Sequence, residues 1–353
     1  MRRIGILTGG GDCPGLNAVI RAAVRTLTGD YGLEVVGIQL GFEGLLTKAT
    51  VPLTLETIRG ILPKGGTLLR TTNRGNPFEY PVDGRIEDRS AECINNIREL
   101  GIDGIIAIGG DGTLKIAQRL CDLGVPMVAV PKTIDNDLEA TDYTFGFHTA
   151  VAVATEAVDR LHSTAESHDR VMILEVMGRN AGWIALYAGI AGGADIILIP
   201  EIPYEPASIV ATIRERQAEG AKFDIIVVAE GAKRVGGEEA YLDHVRGRLG
   251  GIAYQVAAEI QQKIDHEIRV TVLGHVQRGG SPIPFDRILA TRFGKAAADL
   301  VARSEFGRMV ALREDRIVSV PIADAVSRPK MIAPDGELVQ TALSVGIAFG
   351  DGR

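Results

Sequence analysis

Cysteine is scarce in this chain. Its three residues, Cys13, Cys93 and Cys121, stand far apart and form no Cys-x-x-Cys pair. That excludes a disulfide-stapled scaffold and fits a reducing compartment, where a buried thiol behaves as a small apolar group. Zinc-ligand spacing is lacking too, as are a tandem repeat, a low-complexity segment and an ordered Ser/His/Asp set. There is no excess of positive charge: the formal net charge is −7, which argues against nonspecific nucleic-acid binding. No apolar run is long enough for a membrane span. The greasiest stretch, Trp183–Pro200, is broken by three glycines and Asp195, and the apolar run before the first glycines is too short for a signal peptide. The expectation is a soluble cytoplasmic protein with no nucleic-acid and no membrane partner.

What the chain does have is apolar strands ending in glycine. Its 353 residues, 46% of them hydrophobic, suit two domains with substantial cores. In Ile102–Thr113 the short run Ile105–Ile108 reads as a buried parallel strand. It breaks at Gly109–Gly110, and Leu114, Ala117, Leu120 and Cys121 then recur at helical spacing. Strand, glycine turn and helix start make an anion site, because free N–H groups point outward and glycines let a phosphate approach. Asp111 sits in that turn. A carboxylate there repels a bare phosphate, so it makes most sense holding a divalent cation between itself and phosphates. The competing reading is a tight turn whose Asp caps the helix.

The first residues repeat the device: Ile4–Leu7, then TGGGDCPGLN, then a helix with Leu16, Val19, Ile20, Ala23 and Val24 on one face. Two such turns point to one ligand at the carboxyl edge of one parallel sheet. The first is neither GxGxxG nor GxxxxGK[ST], so no nucleotide is named by motif and a nicotinamide oxidoreductase is disfavoured. A further strand at Val35–Gln39 leads to GTLLRTTNRGNPF, where Arg70 and Arg74 are available to a phosphate or simply solvated. The strand Pro126–Pro131 ends directly in KTIDND. There Asp135 and Asp137 stand two apart on what reads as an extended segment, with Lys132 and Thr133 just before. Mutual repulsion separates such carboxylates, so one serves as base to a hydroxyl while the other orients it or reaches a metal. An Asx-turn loop with solvated acids is the alternative.

Next come a helix (Thr149–His162), strands at Val171–Val176, Ile196–Ile199, Ile225–Ala229 and Arg269–Leu273, and a charged helix over 204–222. Residues 233–250 read as a mobile polar loop with helical pieces. Arg170, Arg179, Arg269 and Arg278 all fall at strand termini, where guanidinium forks suit phosphate. Glycine cradles, a metal-suited Asp, a carboxylate pair and arginines are the parts of phosphoryl transfer to a phosphorylated hydroxyl compound.

In order, LTGGGDCPGLN, IGGDGT, PKTIDND, VMGRNAG and LGHVQRGGSPIPFDR resemble the motifs of the 6-phosphofructokinase family, whose members use ATP or pyrophosphate. The resemblance implies an α/β fold of two lobes. Each would be a mostly parallel sheet flanked by helices, with the active site in the inter-lobe cleft. Residues 1–146 plus about 278–330 would hold the donor, and 147–277 plus about 331–353 the sugar phosphate. It implies Mg2+-assisted transfer from ATP to the 1-hydroxyl of fructose 6-phosphate, in a homodimer or homotetramer. By the same resemblance Asp135 is the base, with Thr133 and Asp137 beside it, and Asp111 is linked to magnesium. Gly11, Arg74, Gly75, Gly110, Gly112 and Thr113 are on the donor side, and Arg179 bridges donor and acceptor. Arg170, Met177, Gly178, Glu230, Arg269, His275 and Arg278 fall in the sugar-phosphate pocket, Arg170 and Arg269 reaching a neighbouring subunit's site.

The donor residues are of mixed type. ATP-using members resemble this chain in Gly112, where pyrophosphate users carry Asp, yet Lys132 matches the pyrophosphate users. A missing steric block admits ATP outright, so Gly112 weighs more, and the reversible pyrophosphate reaction is the alternative. Phe42 stands where a nucleotide-stacking Tyr is frequent, and its ring keeps stacking on a base open. Arg21 and Arg25 resemble effector-site arginines, but only Lys222 remains of the lysine-rich segment that completes such a site, so a weak or altered effector response is expected. NAD and lipid kinases share GGDGT without the other motifs. A non-catalytic sugar-phosphate sensor would keep the arginines but has no reason to keep Asp111 and Asp135 together.

Overall fold

Buried parallel strands set the architecture. The computed structural model describes residues 2–243 and 248–353, and the chain divides into two units. The first comprises Met1–Ile134, Leu138–His148 and Arg278–Pro329, and the second Asp135–Asp137, Thr149–Gln277 and Lys330–Arg353.

Strands and helices are numbered in chain order. The first unit holds β1 (Arg3–Thr8), β2 (Glu34–Ile38), β3 (Thr50–Pro52), β4 (Tyr80–Val82), β5 (Arg85–Glu87), β6 (Gly104–Gly109), β7 (Met127–Thr133), β8 (Phe145–Gly146), β15 (Arg308–Arg313) and β16 (Arg316–Pro321). Its main sheet runs β16-β15-β7-β6-β1-β2-β3, with β8 beside the end of β7. Only the outer pairs, β15 with β16 and β2 with β3, are antiparallel. The inner strands are covered on both faces, which is why β6 is apolar throughout rather than alternating. Ile105 and Ala107 pack with Cys93 and Ile97 of α3 (Ser90–Glu99) and with Ala117 and Leu120 of α4 (Asp111–Asp122). By strand alternation Ile106 and Ile108 face the other way, the side of α1 (Leu16–Gly29) and α9 (Pro284–Ala302). Those two helices pack so tightly that a Cβ on Gly294 would fall 2.4 Å from the Val19 carbonyl oxygen.

The second unit holds β9 (Val171–Val176), β10 (Ile196–Leu198), β11 (Asp224–Ala229), β12 (Tyr241–Asp243), β13 (Arg248–Leu249) and β14 (Ile268–Val272). Its sheet, β10-β11-β9-β14, is parallel throughout. Ile173, Ile226 and Val228 pack with Ile209 and Ile213 of α7 (Pro206–Ala218) and Val256 of α8 (Ile252–Gln261). On the opposite face α6 (Trp183–Gly192) lies against Ile197, so close that a Cβ on Gly189 would stand 2.5 Å from it. This explains the greasy stretch: it is a core helix followed by the buried strand β10. Among the described residues no helix is long and apolar enough to cross a membrane.

Two elements depart from the sequence expectation. The helix expected over Thr149–His162 is α5, Phe147–His168, extended by a last turn in which the Ser167 hydroxyl donates to the Ser163 carbonyl. Among its described residues the 233–250 segment contains the antiparallel pair β12/β13 and no helical piece. Its residues 244–247 lie outside the described residues.

His148 opens α5 inside an aromatic cluster with Tyr143, Phe147 and Phe285. Burial lowers its imidazole from 6.5 to about 4, and its Nδ1 has no hydrogen-bond partner among the described residues. The unfolded chain therefore takes up this proton first as pH falls, so the folded state loses stability from about pH 6.5 down to about 4, below which the loss is complete. His148→Phe is expected to flatten that part of the urea-denaturation stability profile. An unchanged slope between wild type and variant would exclude His148 as its source.

Candidate active site

Three neighbouring strands of the first unit deliver their carboxyl ends to one sheet edge. β1, β6 and β7 pair in parallel, with Thr8 opposite Ile108 and Gly109 opposite Pro131. The turns Gly9–Gly11 and Gly109–Gly112 and the strand end Lys132–Thr133 thus stand side by side. Thr113 fills the space between the turns: a Cβ on Gly9 or on Gly109 would come within 2.6 Å of its Oγ1. At Gly11 a Cβ would fall 2.1 Å from Nη1 of Arg278. The buried Lys132 ammonium donates to the Gly11 carbonyl. Two cations therefore flank this turn, Arg278 among them, although the resemblance places it with the sugar phosphate. The Thr71 hydroxyl donates to the Gly10 carbonyl (2.6 Å), bringing the segment of Arg74 and Gly75 beside the same turn. Arg74 itself is exposed, and Gly75 packs against the backbone of Glu43.

Gly112 differs from its neighbours. Among the described residues nothing beyond its chain neighbours and own helix backbone lies within 4 Å of where its Cβ would stand, and its backbone is not left-handed. The protein itself therefore gives no reason for glycine here; the space is open to a ligand.

Asp111 is the first residue of α4 and follows the N-cap Gly110, with no side-chain cap hydrogen bond. The capping reading of Asp111 is thus not what the structure shows. Its half-exposed carboxylate pairs instead with Lys115 at 2.8 Å. Among the described residues no group of three metal-ligating side chains occurs. At the head of the glycine turn, Asp111 could hold magnesium in the mode in which one carboxylate, waters and substrate phosphates share the ion. Phe42 is a correction. Its ring is only 4% exposed and packs with Leu45, Leu46 and Phe78. An all-carbon ring has no polar edge to keep wet, so it joins the core and offers no face to a base.

In the second unit, Asp135 and Asp137 are partly exposed while Asn136 between them is buried. The segment is not extended: Asn136 has φ 51, a left-handed conformation that asparagine tolerates better than most residues. Lys330 holds it. The Lys330 N–H donates to the Asp137 carbonyl (2.8 Å) and its ammonium to Asn136 Oδ1 (3.1 Å).

The carboxyl ends of β11, β9 and β14 line up in the same way. Glu230 N–H donates to the Val176 carbonyl (2.8 Å) and Gly231 N–H to that of Gly178 (3.1 Å). Met177 N–H donates to Gln277 Oε1 (3.2 Å), and Gln277 Nε2 donates to the Gly274 carbonyl (3.0 Å), tying the MGR turn to the short helix Gly274–Arg278. Arg179 is exposed, and its guanidinium is near enough to Tyr241 to act on the phenol. His275 is exposed as well. A Cβ on Gly231 would stand 1.9 Å from the Arg179 carbonyl oxygen. Gly231→Ala is accordingly expected to displace the Arg179 turn and to destabilise the fold by about 1–3 kcal/mol. Urea denaturation checks this, and an unchanged midpoint would refute it.

Arg170 and Arg269 are not with this group. Arg170 precedes β9 and Arg269 is the second residue of β14, both at the amino ends of their strands. The six residues of β9 put about 20 Å between those ends and the MGR turn. Glu267 holds the two arginines together, bonding Arg170 Nε at 2.6 Å and also pairing with Arg269. The Arg170 hydrogen bond, then that of Arg269, keeps the Glu267 carboxyl below its usual range.

Sequence reasoning passed over Gln277, Gly231, Glu267 and Lys330. Gln277 lies inside the quoted HVQRGG motif, so spacing could have found it. Lys330 carries no local signal.

Glycine turns at parallel strand ends, a carboxylate at a helix start and strand-end arginines define an α/β protein built to bind phosphates. The phosphofructokinase family model matches residues 3–301, and the chain belongs to that family. It is 54% identical over 352 residues to an ATP-dependent 6-phosphofructokinase of Chloroflexus aurantiacus, covering 99% of this chain and 98% of that one. It is also 52% identical over 358 residues to a pyrophosphate–fructose 6-phosphate 1-phosphotransferase of Streptomyces coelicolor, covering 99% and 100%. Among solved structures, phosphofructokinase from Saccharomyces cerevisiae superposes with a TM-score of 0.79 at 32% identity. That match covers 93% of this chain and 45% of the yeast chain, so this chain spans less than half of the yeast protein's length.

Proposed function

We propose that the chain is an ATP-dependent 6-phosphofructokinase, acting in the cytoplasm and transferring the γ-phosphoryl group to the 1-hydroxyl of fructose 6-phosphate. The observation that carries this is the edge formed by β1, β6 and β7: two glycine cradles and Asp111, with Asp135 only two residues beyond the end of β7. Asp135 accepts the hydroxyl proton as the sugar oxygen bonds to the γ-phosphorus. The bond from that phosphorus to the bridging oxygen breaks, and ADP leaves with its electron pair. Thr133 and Asp137 orient the hydroxyl. Backbone N–H groups of the glycine turns and the Arg179 guanidinium offset charge on the transferred group. Asp111 would hold Mg2+, which supplies charge neutralisation on the donor phosphates. Met177, Gly178, Glu230, His275 and Arg278 hold the sugar phosphate. Arg170 and Arg269, at the far ends of their strands, serve the site of a second copy in a homodimer or homotetramer. In this reading the first unit, Arg278 apart, binds the donor and the second the sugar phosphate.

Open space at Gly112 supports ATP, because an α-phosphate meets no side chain there. The Lys132 ammonium on the Gly11 carbonyl supports pyrophosphate as the second reading, since it adds positive charge at the donor turn. Initial rates of fructose 1,6-bisphosphate formation with magnesium, comparing ATP and pyrophosphate, test both. Activity with ATP alone supports the first reading, and activity with pyrophosphate alone replaces it with a readily reversible reaction. Inactivity with either would return the chain to a sugar-phosphate sensor.

A further inference from the structure

The aspartate segment is clipped in place by a residue almost two hundred positions away. Lys330 uses three groups at once. Its N–H donates to the Asp137 carbonyl (2.8 Å), its ammonium donates to Asn136 Oδ1 (3.1 Å), and its carbonyl accepts from Trp183 Nε1 (2.9 Å). The ammonium also lies 5.7 Å from the centre of the Trp183 ring, within reach of a cation–π attraction. Two residues on, Ile332 N–H donates to Glu201 Oε1 (3.0 Å). The same carboxylate accepts from Gly182 N–H (3.2 Å), the N-cap of α6. Lys330 therefore joins the segment that carries Asp135 and Asp137 to the start of α6, directly after the turn that carries Arg179.

Asn136 needs such a clip. It is buried with a left-handed backbone, a conformation that persists only where the surroundings fix it. A buried amide oxygen also needs a donor, and Lys330 is one. The backbone bonds of Lys330 would be met by any residue other than proline. The ammonium to Asn136 is specific to its side chain.

We propose that Lys330 is a positioning residue for the phosphoryl-transfer step, holding Asn136 so that Asp135 and Asp137 keep a fixed direction relative to the Arg179 turn. This rests on the phosphofructokinase reading above. Displacing a reacting group by about 1 Å can cost 10²-fold in rate, so a clip at this point acts on turnover more than on binding.

The test uses the full chain and the variants Lys330→Met and Lys330→Arg. Lys330→Met removes the ammonium but keeps both backbone bonds. It is expected to lower kcat by about 10- to 100-fold while changing the KM for fructose 6-phosphate less than about threefold. Lys330→Arg, which can still donate to Asn136, is expected to recover most of the loss. Trp183, the single tryptophan of the chain, reports on the clip through its bond to the Lys330 carbonyl. Removing the ammonium beside the ring shifts its emission only slightly, so no red shift of the size water exposure gives is expected in Lys330→Met. Lys330→Met with kcat within twofold of wild type overturns the proposal. So does a kcat loss that Lys330→Arg does not recover and that comes with a red-shifted Trp183, because Lys330 would then only hold the fold. An inactive wild-type chain refutes the phosphotransfer reading itself and is seen before any variant is compared.

Discussion

Asp135→Ser is expected to reduce turnover by about 10²-fold or more, the scale of a general base positioned in the transition state. The change is local. Asp135 is partly exposed, and the buried member of the segment, Asn136, keeps its bond to Lys330. The fold should therefore survive, and the affinity for fructose 6-phosphate, which the proposed function assigns to other residues, should stay within about threefold. Serine is small enough to leave room for the hydroxyl but cannot take its proton at neutral pH. kcat measured with saturating donor and magnesium decides the point. Near-normal turnover would remove Asp135 from the role of base. A loss that excess magnesium restores would make it a metal ligand instead. Asp137→Ser, measured in parallel, should cost less, because an orienting carboxylate can be replaced in part by water.

The frame of the molecule is legible in the sequence wherever a strand is buried on both faces. Val171–Val176 matches β9 to the residue, and the apolar run Ile105–Ile108 sits inside β6, because a doubly covered parallel strand must be apolar throughout. The glycine turns are legible for the same reason, since each breaks such a run. The late hairpin is not, although Met309–Leu312 of β15 are buried. The hairpin β15/β16 turns through Glu314 and Asp315, both with positive φ (48 and 62), in place of the Asn-Gly or Asp-Gly pairs that advertise such a turn. Phe42 shows a different limit: a ring at a given position is visible in the sequence, but the side it faces is set by the core around it. The clip at Asn136 joins residues 194 positions apart, a pairing that neither periodicity nor local spacing encodes.

Gly112→Asp is expected to separate the two donors. The substitution should fold well: among the described residues no atom beyond its chain neighbours and own helix backbone lies within 4 Å of the new Cβ, and the backbone there is not left-handed. A carboxylate in the first turn of α4 also sits favourably against the helix dipole, by about 0.3–1 kcal/mol. Any loss of activity thus reports on the ligand rather than on the fold. In the ATP complex the new carboxylate would face the α-phosphate. At about 4 Å and an effective dielectric constant near 20, two unit charges of like sign repel by about 4 kcal/mol. Screening leaves enough to lower kcat/KM for ATP by about 10²-fold. Pyrophosphate has no α-phosphate and no sugar to collide with the side chain, so its rate should be unchanged or higher, helped by Lys132 beside Gly11. The measurement is the ratio of kcat/KM for the two donors in wild type, Gly112→Asp and the double variant with Lys132→Gly. If Gly112→Asp keeps full ATP activity, the open space at residue 112 is not where the nucleotide lies. If ATP use collapses and pyrophosphate use then depends on Lys132, these two positions together set the donor.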